Sequence, residues 1–430
     1  MRIRPARTIR GKLSVPGDKS ISHRAAIIAA LAGGTSSISN FAPGADCAAT
    51  VNCLKSLGVF FTQQGRNLIV HGVGRDGLRQ ASQPLDCANS ASTMRLLAGV
   101  LASQNFFSTM IGDRSLSTRP MTRIIEPLTA MGATLQSHDG KPPLTIFGSG
   151  PLKAISYDLP ISSAQVKSCI LLAGLNSSGV TTLRESLGQS RDHTERMLQW
   201  FGASLSRQAL GEMQVIELEG PASLSARAIT VPGDISSAAF FVAAAALLPN
   251  SNLILDDVGV NPTRTGFLSV LESIGFSIEL RDVREENNEP LGSIHISQHG
   301  PSIQSQTILS GASVAKVIDE LPLLAILGSQ LPGGIEIRDA EELRLKESDR
   351  IAATVKNLRA MGATVREFDD GMEVNASRLK GARIESFGDH RIAMAFTVAA
   401  LVAEGESEID DPDCVGVSFP DFFQRLESLV

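Results

Sequence analysis

The chain has 430 residues, 43% hydrophobic and 20% charged, with a formal net charge of −6. That length allows two or three domains and a sizeable core. An acidic chain that is only 4% aromatic lacks the basic face and stacking rings of a nucleic-acid binder. The first segment, "MRIRPARTIRGK", is basic, but no apolar run follows, so it reads as a charged lead-in to a strand and not as a secretory signal. Next comes "VPGDKSISHRAAIIAAL", Val15 to Leu31. It nearly matches a phosphate-binding loop, but five residues separate Gly11 from Gly17 and Asp18 intrudes before Lys19. The loop consensus needs four residues and then Gly-Lys. The stretch is therefore read as the start of a helix.

Further along, similar segments recur, each with a small or polar start followed by an apolar helix. They begin at Asn89 ("NSASTMRLLAGVLA"), Ser163 ("SAQVKSCILLAGL"), Gly233, Asp319 ("DELPLLAILGS") and Asp389 ("DHRIAMAFTVAALVA"). With Gly17 they make six starts, spaced 72, 74, 70, 86 and 70 residues apart. "VPGD" at Val15 returns at Val231 in "VPGDISSAAFFVAAAAL", where Ile235 replaces Lys19 and Phe240 replaces Arg24. A second series, "LGVFF" (57–61), "MGATL" (131–135), "FGASL" (201–205), "IGFSI" (274–278) and "MGATV" (361–365), closes the units. Glycine just past a periodic segment signals a helix C-terminus. The sixth closure is expected at the chain end, "RLESLV".

Each unit thus reads as a buried helix, a strand, an amphipathic helix, a glycine cap and a hairpin such as the one containing "LIVHG" (68–72). Helices apolar on all faces must lie inside. The predicted fold is α/β, with two similar domains of three repeats each, helices within and sheets outside. The longest apolar run, "AAFFVAAAALL" (238–248), is shorter than the roughly 18 residues of a membrane span. Five cysteines without CxxC spacing suggest a reducing compartment and no structural zinc. The expected location is the cytoplasm.

Several helix starts aimed at one place would make an anion site from N–H groups and positive dipole ends. The cations near such starts are Lys19, Arg24, Arg119, Arg191, Lys346, Arg350 and Arg391. Arginine forks suit phosphate and carboxylate. Acid–base candidates are Asp319, Glu347 and His390, although Asp319 equally reads as a helix cap and Glu347 as a first-turn acid. His295 and His299 have i,i+4 spacing, but on a strand that spacing does not converge on a metal. No metal and no cofactor are expected.

Taken together, "PGDKSISHR", "LDCANSASTMRL", "GDRSLSTRPM", "SAQVKSCILLAGL", "SRDHTERML", "NPTRTG", "IDELPLLA", "EELRLKESDR" and "DHRIAMAF" resemble the 5-enolpyruvylshikimate-3-phosphate synthases, nearest their class II branch. The resemblance spans nearly the whole chain. It implies two domains of three βαβαββ-type units, 19–228 and the discontinuous 1–18 plus 229–430, with the active site in the cleft between them. It implies transfer of the enolpyruvyl group of phosphoenolpyruvate to the 5-hydroxyl of shikimate 3-phosphate, with release of phosphate. Carried over by motif, Lys19, Ser20, Arg24, Ser162, Ser163, Gln165, Arg191, Asp319 and Lys346 match shikimate-phosphate positions. Lys19, Asn89, Ala91, Ser92, Arg119, Gln165, Glu347, Arg350 and Arg391 match phosphoenolpyruvate positions. Asp319 is then the base and Glu347 the acid, supported by Lys19 and His390. The expected partners are the two small molecules alone, with no nucleic acid and no membrane, and the expected state is a monomer.

Two positions depart from class I members: Val417 where they carry a lysine, and Ala91 where they carry a glycine. The second makes insensitivity to glyphosate an expectation. The rival readings are the sister transferase acting on UDP-N-acetylglucosamine and a non-catalytic anion-binding repeat protein. The sister enzyme uses a loop cysteine, and "GDRSLSTRPM" has none.

Overall fold

The computed structural model describes residues 1–148, 150–186, 188–297 and 305–430. His299 lies outside them. The chain forms two compact units: Gly17–Val231 with Glu285–Glu289, and Met1–Pro16 with Pro232–Arg284 and Pro290–Val430. Each has its own apolar core. Among the described residues no helix is long and apolar enough to cross a membrane.

One repeat shows the plan. Strand Leu85–Asp86 leads into helix Ala91–Ala102, strand Ser108–Ile111, helix Thr122–Ala130, and the hairpin Thr134–His138 and Lys141–Phe147. In its sheet the first two strands pair in parallel and the hairpin continues antiparallel. The same strand plan recurs in five of the six sheets, and the sixth has three strands, Arg2–Ile3, Ser407–Ile409 and Arg383–Ile384. The first helix of each repeat is buried nearly throughout; in Ile235–Leu247, twelve consecutive residues, Ile235 to Ala246, are buried. Such helices can only be interior, since each fully buried Phe or Leu contributes about 1.5–3 kcal/mol. Helices Ala91–Ala102 and Ala164–Gly174 pack so closely that a Cβ on Gly99 would lie 2.1 Å from the Cys169 carbonyl oxygen.

Two repeats take their leading strand from elsewhere in the chain. Ala228–Thr230 pairs in parallel with Ala32–Ser39. Arg10–Ser14 pairs in parallel with Asn252–Gly259. The basic lead-in therefore does run into a strand, but that strand serves the fourth repeat and not the first.

The interior helices begin at capped positions. Asp18, Ser90, Ser163, Asp234 and Asp389 each accept a first-turn N–H, the favoured use of these side chains. The expected start at Asp319 shifts: helix Leu321–Gln330 begins after Glu320, so Asp319 precedes it. All five closing glycines, Gly58, Gly132, Gly202, Gly275 and Gly362, have φ between 83° and 96°, just past their helices, as a left-handed C-terminal cap requires. Helix Phe422–Glu427 ends within "RLESLV", where the sixth closure is expected. In that repeat Arg2–Ile3 supplies the antiparallel neighbour of Ser407–Ile409.

Candidate active site

In the Gly17–Val231 unit, three interior helices present polar first turns. Lys19 Nζ lies 2.9 Å from Asp46 Oδ2. Arg24 is buried one turn further in. Its Nε donates to Thr194 Oγ1 at 2.7 Å, its Nη1 to the Ser20 carbonyl at 2.8 Å and its Nη2 to Ser168 Oγ at 2.8 Å. Burial pulls its pKa down to about 10, with Glu195 and Asp18 opposing, so it keeps its charge at neutral pH. Neighbouring His23 is driven to about 3 by burial, helped by Lys19 and Arg24. It is a neutral core residue whose Nδ1 meets Thr50 Oγ1 at 2.6 Å.

Around the next two helix starts, Arg119 Nη2 donates to Asn89 Oδ1 at 2.9 Å and to Ser115 Oγ at 3.1 Å. Asn89 Nδ2 in turn donates to Asp113 Oδ2 at 2.7 Å. Gln165 Nε2 donates to Ser92 Oγ at 2.9 Å, while Gln165 Oε1 accepts from Arg95. Arg95 also donates to the Pro120 carbonyl at 3.0 Å. Ala88, just before Asn89, has φ 48°, an uncommon conformation for a residue with a Cβ and one that clusters at functional sites.

Beneath these residues lies a buried ionic group. Lys167 Nζ sits 2.9 Å from Glu185 Oε2 and 2.7 Å from Glu195 Oε1. Glu185 Oε1 accepts from both the backbone N–H and the hydroxyl of Ser190. Burial alone would lower the Lys167 pKa, but Glu195 and Glu185 reverse that and hold it above its ordinary value. Burial raises the Glu195 carboxyl, and Lys167 offsets this only in part.

In the other unit the chemistry centres on Arg350, a guanidinium 1% exposed among three carboxylates. Its Nε donates to Asp389 Oδ2 at 2.8 Å and its Nη2 to Glu347 Oε2 at 2.6 Å. Asp319 Oδ1 lies 3.6 Å from Nη1. Burial would lower the Arg350 pKa, but Asp389, Glu347 and Asp319 raise it above the ordinary value. Burial alone would raise the Asp389 carboxyl; Arg350 more than reverses that and holds it below the usual range. Arg391 Nη1 donates to the Asp319 carbonyl at 3.1 Å, and its Nη2 lies 3.7 Å from Asp319 Oδ2. His390 is buried beside it at the first helical position. Glu320 accepts from Ser236 Oγ at 2.5 Å, and Ser236 accepts from Arg264 at 2.9 Å.

The structure thus gathers Lys19, Ser20, Arg24, Asn89, Ser92, Arg119, Ser163 and Gln165 at helix starts of one unit. It gathers Asp319, Glu347, Arg350, His390 and Arg391 around one buried guanidinium in the other. Ser163 is a helix cap, and Ser162 and Arg191 are half-buried. Ala91 is buried at the first helical position. Lys346, directly before Glu347, has its Nζ 2.6 Å from Glu342 Oε1. Val417 is half-buried at the end of a short 3-10 helix. Reasoning from sequence missed Asp46, Arg95, Lys167, Glu195, Arg264 and Asp389 as members of these networks. A charge inside an otherwise apolar helix, as in "MRLL" and "QVKSCILL", was the available signal for two of them. Among the described residues no group of three or more His, Cys, Asp or Glu side chains is placed to hold a metal.

Six repeats with buried first helices, five of them capped by Asp or Ser side chains, define an enolpyruvyl-transferase fold. The EPSP synthase model, described as 3-phosphoshikimate 1-carboxyvinyltransferase, matches residues 3–426. The 3-phosphoshikimate 1-carboxyvinyltransferase of Koribacter versatilis is 50% identical over 100% of this chain and 99% of its own. That of Brevibacillus brevis is 47% identical over 99% of both. The 2.37 Å structure of EPSP synthase from Acinetobacter baumannii superposes with a TM-score of 0.86 at 40% identity, covering 100% of this chain and 97% of that one. The chain belongs to the EPSP synthase family.

Proposed function

We propose that the chain transfers the enolpyruvyl group of phosphoenolpyruvate to the 5-hydroxyl of shikimate 3-phosphate and releases phosphate, a step of the shikimate pathway to aromatic amino acids. The observation that carries this reading is the match to one enzyme family from residue 3 to residue 426. The charges agree with it. Both substrates carry phosphate and carboxylate, and this acidic protein concentrates guanidinium and ammonium groups at helix starts, where N–H groups and dipole also favour anions.

In the proposed chemistry, Lys19, Ser20, Arg24, Ser162, Ser163, Gln165, Arg191 and Lys346 hold shikimate 3-phosphate. Lys19, Asn89, Ala91, Ser92, Arg119, Gln165, Arg350 and Arg391 meet phosphoenolpyruvate. Addition joins the 5-oxygen to C2 of phosphoenolpyruvate while a proton goes to C3. Elimination expels phosphate from C2 and removes a proton from the new methyl group, restoring the double bond. Asp319, held beside the two guanidinium groups of Arg350 and Arg391, takes the hydroxyl proton. Glu347, also on Arg350, supplies the proton to carbon, and Lys19 and His390 assist. Fixed cations near the charge that gathers in the intermediate need no reorganisation, which is where electrostatic catalysis is strongest. The five free, buried cysteines support a reducing, cytoplasmic setting, and we take the working unit to be the monomer.

Phosphate release tests the reading. Phosphoenolpyruvate with shikimate 3-phosphate should give one phosphate per enolpyruvyl ether formed. Release with UDP-N-acetylglucosamine instead would assign the sister reaction, and release with neither would leave an anion-binding scaffold.

A further inference from the structure

The six interior helices can be aligned on their caps. The fourth residue after the cap is Ser22, Met94, Lys167, Ala238, Leu324 and Ala393 in turn. Five of these suit a packed interior. Lys167 does not, yet its side chain is fully buried between two carboxylates that are themselves only 1% exposed. A buried pair contributes little to stability compared with apolar residues of the same volume, so stability alone does not account for it.

What the trio holds is more informative. Glu185 accepts both the backbone N–H and the hydroxyl of Ser190, and Lys167 donates to the Ser190 carbonyl at 3.4 Å. Every polar group of the residue preceding Arg191 is thereby bonded to Glu185 or Lys167. On the far side of Arg191, Asp192 is tied to Arg196 at 2.8 Å and to Arg207. Glu195, the other partner of Lys167, directly follows Thr194, whose hydroxyl accepts from Arg24 and meets Ser168 Oγ. One ammonium therefore anchors the backbone beside two arginines.

We propose that Lys167, with Glu185 and Glu195, is a positioning device that aims Arg191 and Arg24 at the anionic groups of shikimate 3-phosphate. The proposal rests on the functional reading above. Binding groups work when residues behind them lock their geometry, and a small misplacement is felt in the substrate they hold. Lys167, its side chain fully buried, is assigned a positioning role and not a catalytic one.

The test starts from wild-type turnover. Its absence would sink the functional reading and leave the network unexplained by it. With turnover established, Lys167→Met should raise KM for shikimate 3-phosphate by about ten- to a hundredfold. KM for phosphoenolpyruvate at saturating shikimate 3-phosphate should change less than about threefold. A folded Lys167→Met enzyme with a lower Tm but wild-type KM values would overturn the proposal, because a merely structural lysine behaves that way. If Lys167→Met does not fold, Ser190→Ala decides. It removes one hydroxyl donor to Glu185 and should raise KM for shikimate 3-phosphate alone by about threefold. Unchanged constants for both substrates in that variant would overturn the proposal equally.

Discussion

Val15–Leu31 and Val231–Leu247 start with the same four residues, fold into the same capped helix and then do opposite things with it. Asp18 accepts from the Ile21 N–H at 2.8 Å and Asp234 from the Ser236 N–H at 2.9 Å. At the first helical position one helix carries Lys19 beside Asp46, while the other buries Ile235 to 3% exposure. At the sixth, Arg24 enters a polar pocket of Thr194, Ser168 and the Ser20 carbonyl. Phe240 instead packs edge-on against Phe422 with ring centroids 6.0 Å apart. Cap and backbone belong to the repeat, whereas the first and sixth positions are set by what the helix must face. A repeat architecture can in this way place cations at one helix start and a hydrophobic plug at its counterpart on the same capped helix.

The largest effect should come from the shared backbone. A Cβ on Gly17 would lie 1.8 Å from the Asn40 carbonyl oxygen, a backbone atom. On Gly233 it would meet Val15 Cγ2 at 2.8 Å and the Asp257 carbonyl at 3.2 Å. Gly17→Ala is expected to lose more than about 4 kcal/mol, and Gly233→Ala about 1–3 kcal/mol, as for ordinary overpacking. Urea unfolding of both variants measures this. Equal losses would show that the two starts are not sterically distinct.

Asp389 sharpens the comparison among capping aspartates, because its carboxylate also faces buried Arg350. Asp389→Asn keeps a cap acceptor but removes that charge. The expected loss is about 3 kcal/mol, low in the range for breaking a buried pair, since Glu347 and Asp319 still face Arg350. The sign follows from the lowered pKa. Asp389 contributes stability above the unfolded aspartate value near ~3.9, and the contribution disappears as pH falls through the lower folded value. The stability gap between wild type and variant should therefore be constant at neutral pH and shrink below about pH 4. A gap that widens on acidification would contradict the charge account.

Next come the side chains that differ. Lys19→Met and Arg24→Met should each lower kcat/KM by about 10²–10³, with modest change in Tm for Lys19. Ile235→Val and Phe240→Leu should lower Tm, the first by about 0.5–1.5 kcal/mol in stability, while turnover per folded molecule stays at wild-type level. Steady-state kinetics beside thermal melts separate the two patterns. A catalytic loss in the Ile235 or Phe240 variants as large as in the Lys19 and Arg24 variants would erase the proposed division of labour.

The helix starts and glycine ends were legible in sequence because both signals are local: a cap, an apolar run and a residue that tolerates positive φ. The strand partners were not. Nothing within Arg10–Ser14 says that it pairs with Asn252–Gly259, or that Arg2–Ile3 completes the sheet of Ser407–Ile409, because pairing is decided by elements hundreds of residues away. The candidate site divides in the same way. Cations at helix starts could be picked out one by one, but their partners come from other elements. Asp46 for Lys19, Thr194 for Arg24 and Asp389 for Arg350 became visible only with the fold. Lys167 was passed over because it stood in a motif read for its serine and glutamine.

Ala91 occupies the same first helical position as Lys19 and Ile235, and there the comparison turns on a single methyl group. The residue is 7% exposed and stands two residues after Asn89, which accepts from Arg119 at 2.9 Å. Both neighbours belong to the proposed phosphoenolpyruvate site. Glyphosate, which occupies the phosphoenolpyruvate pocket in this family, is longer than the substrate, and a glycine at this position leaves room for it. We propose that the Ala91 methyl group removes that room. Overpacking of this kind is unfavourable by about 1–3 kcal/mol, or roughly five- to a hundredfold in affinity. The competing account is that alanine only improves helix propensity, by about 1 kcal/mol over glycine. Inhibition competitive with phosphoenolpyruvate separates the two. The wild type should be weakly inhibited, and Ala91→Gly should bind glyphosate about five- to a hundredfold more tightly. KM for phosphoenolpyruvate should change by less than about threefold. If Ala91→Gly only lowers Tm and leaves inhibition unchanged, the methyl group is a helix former and nothing more.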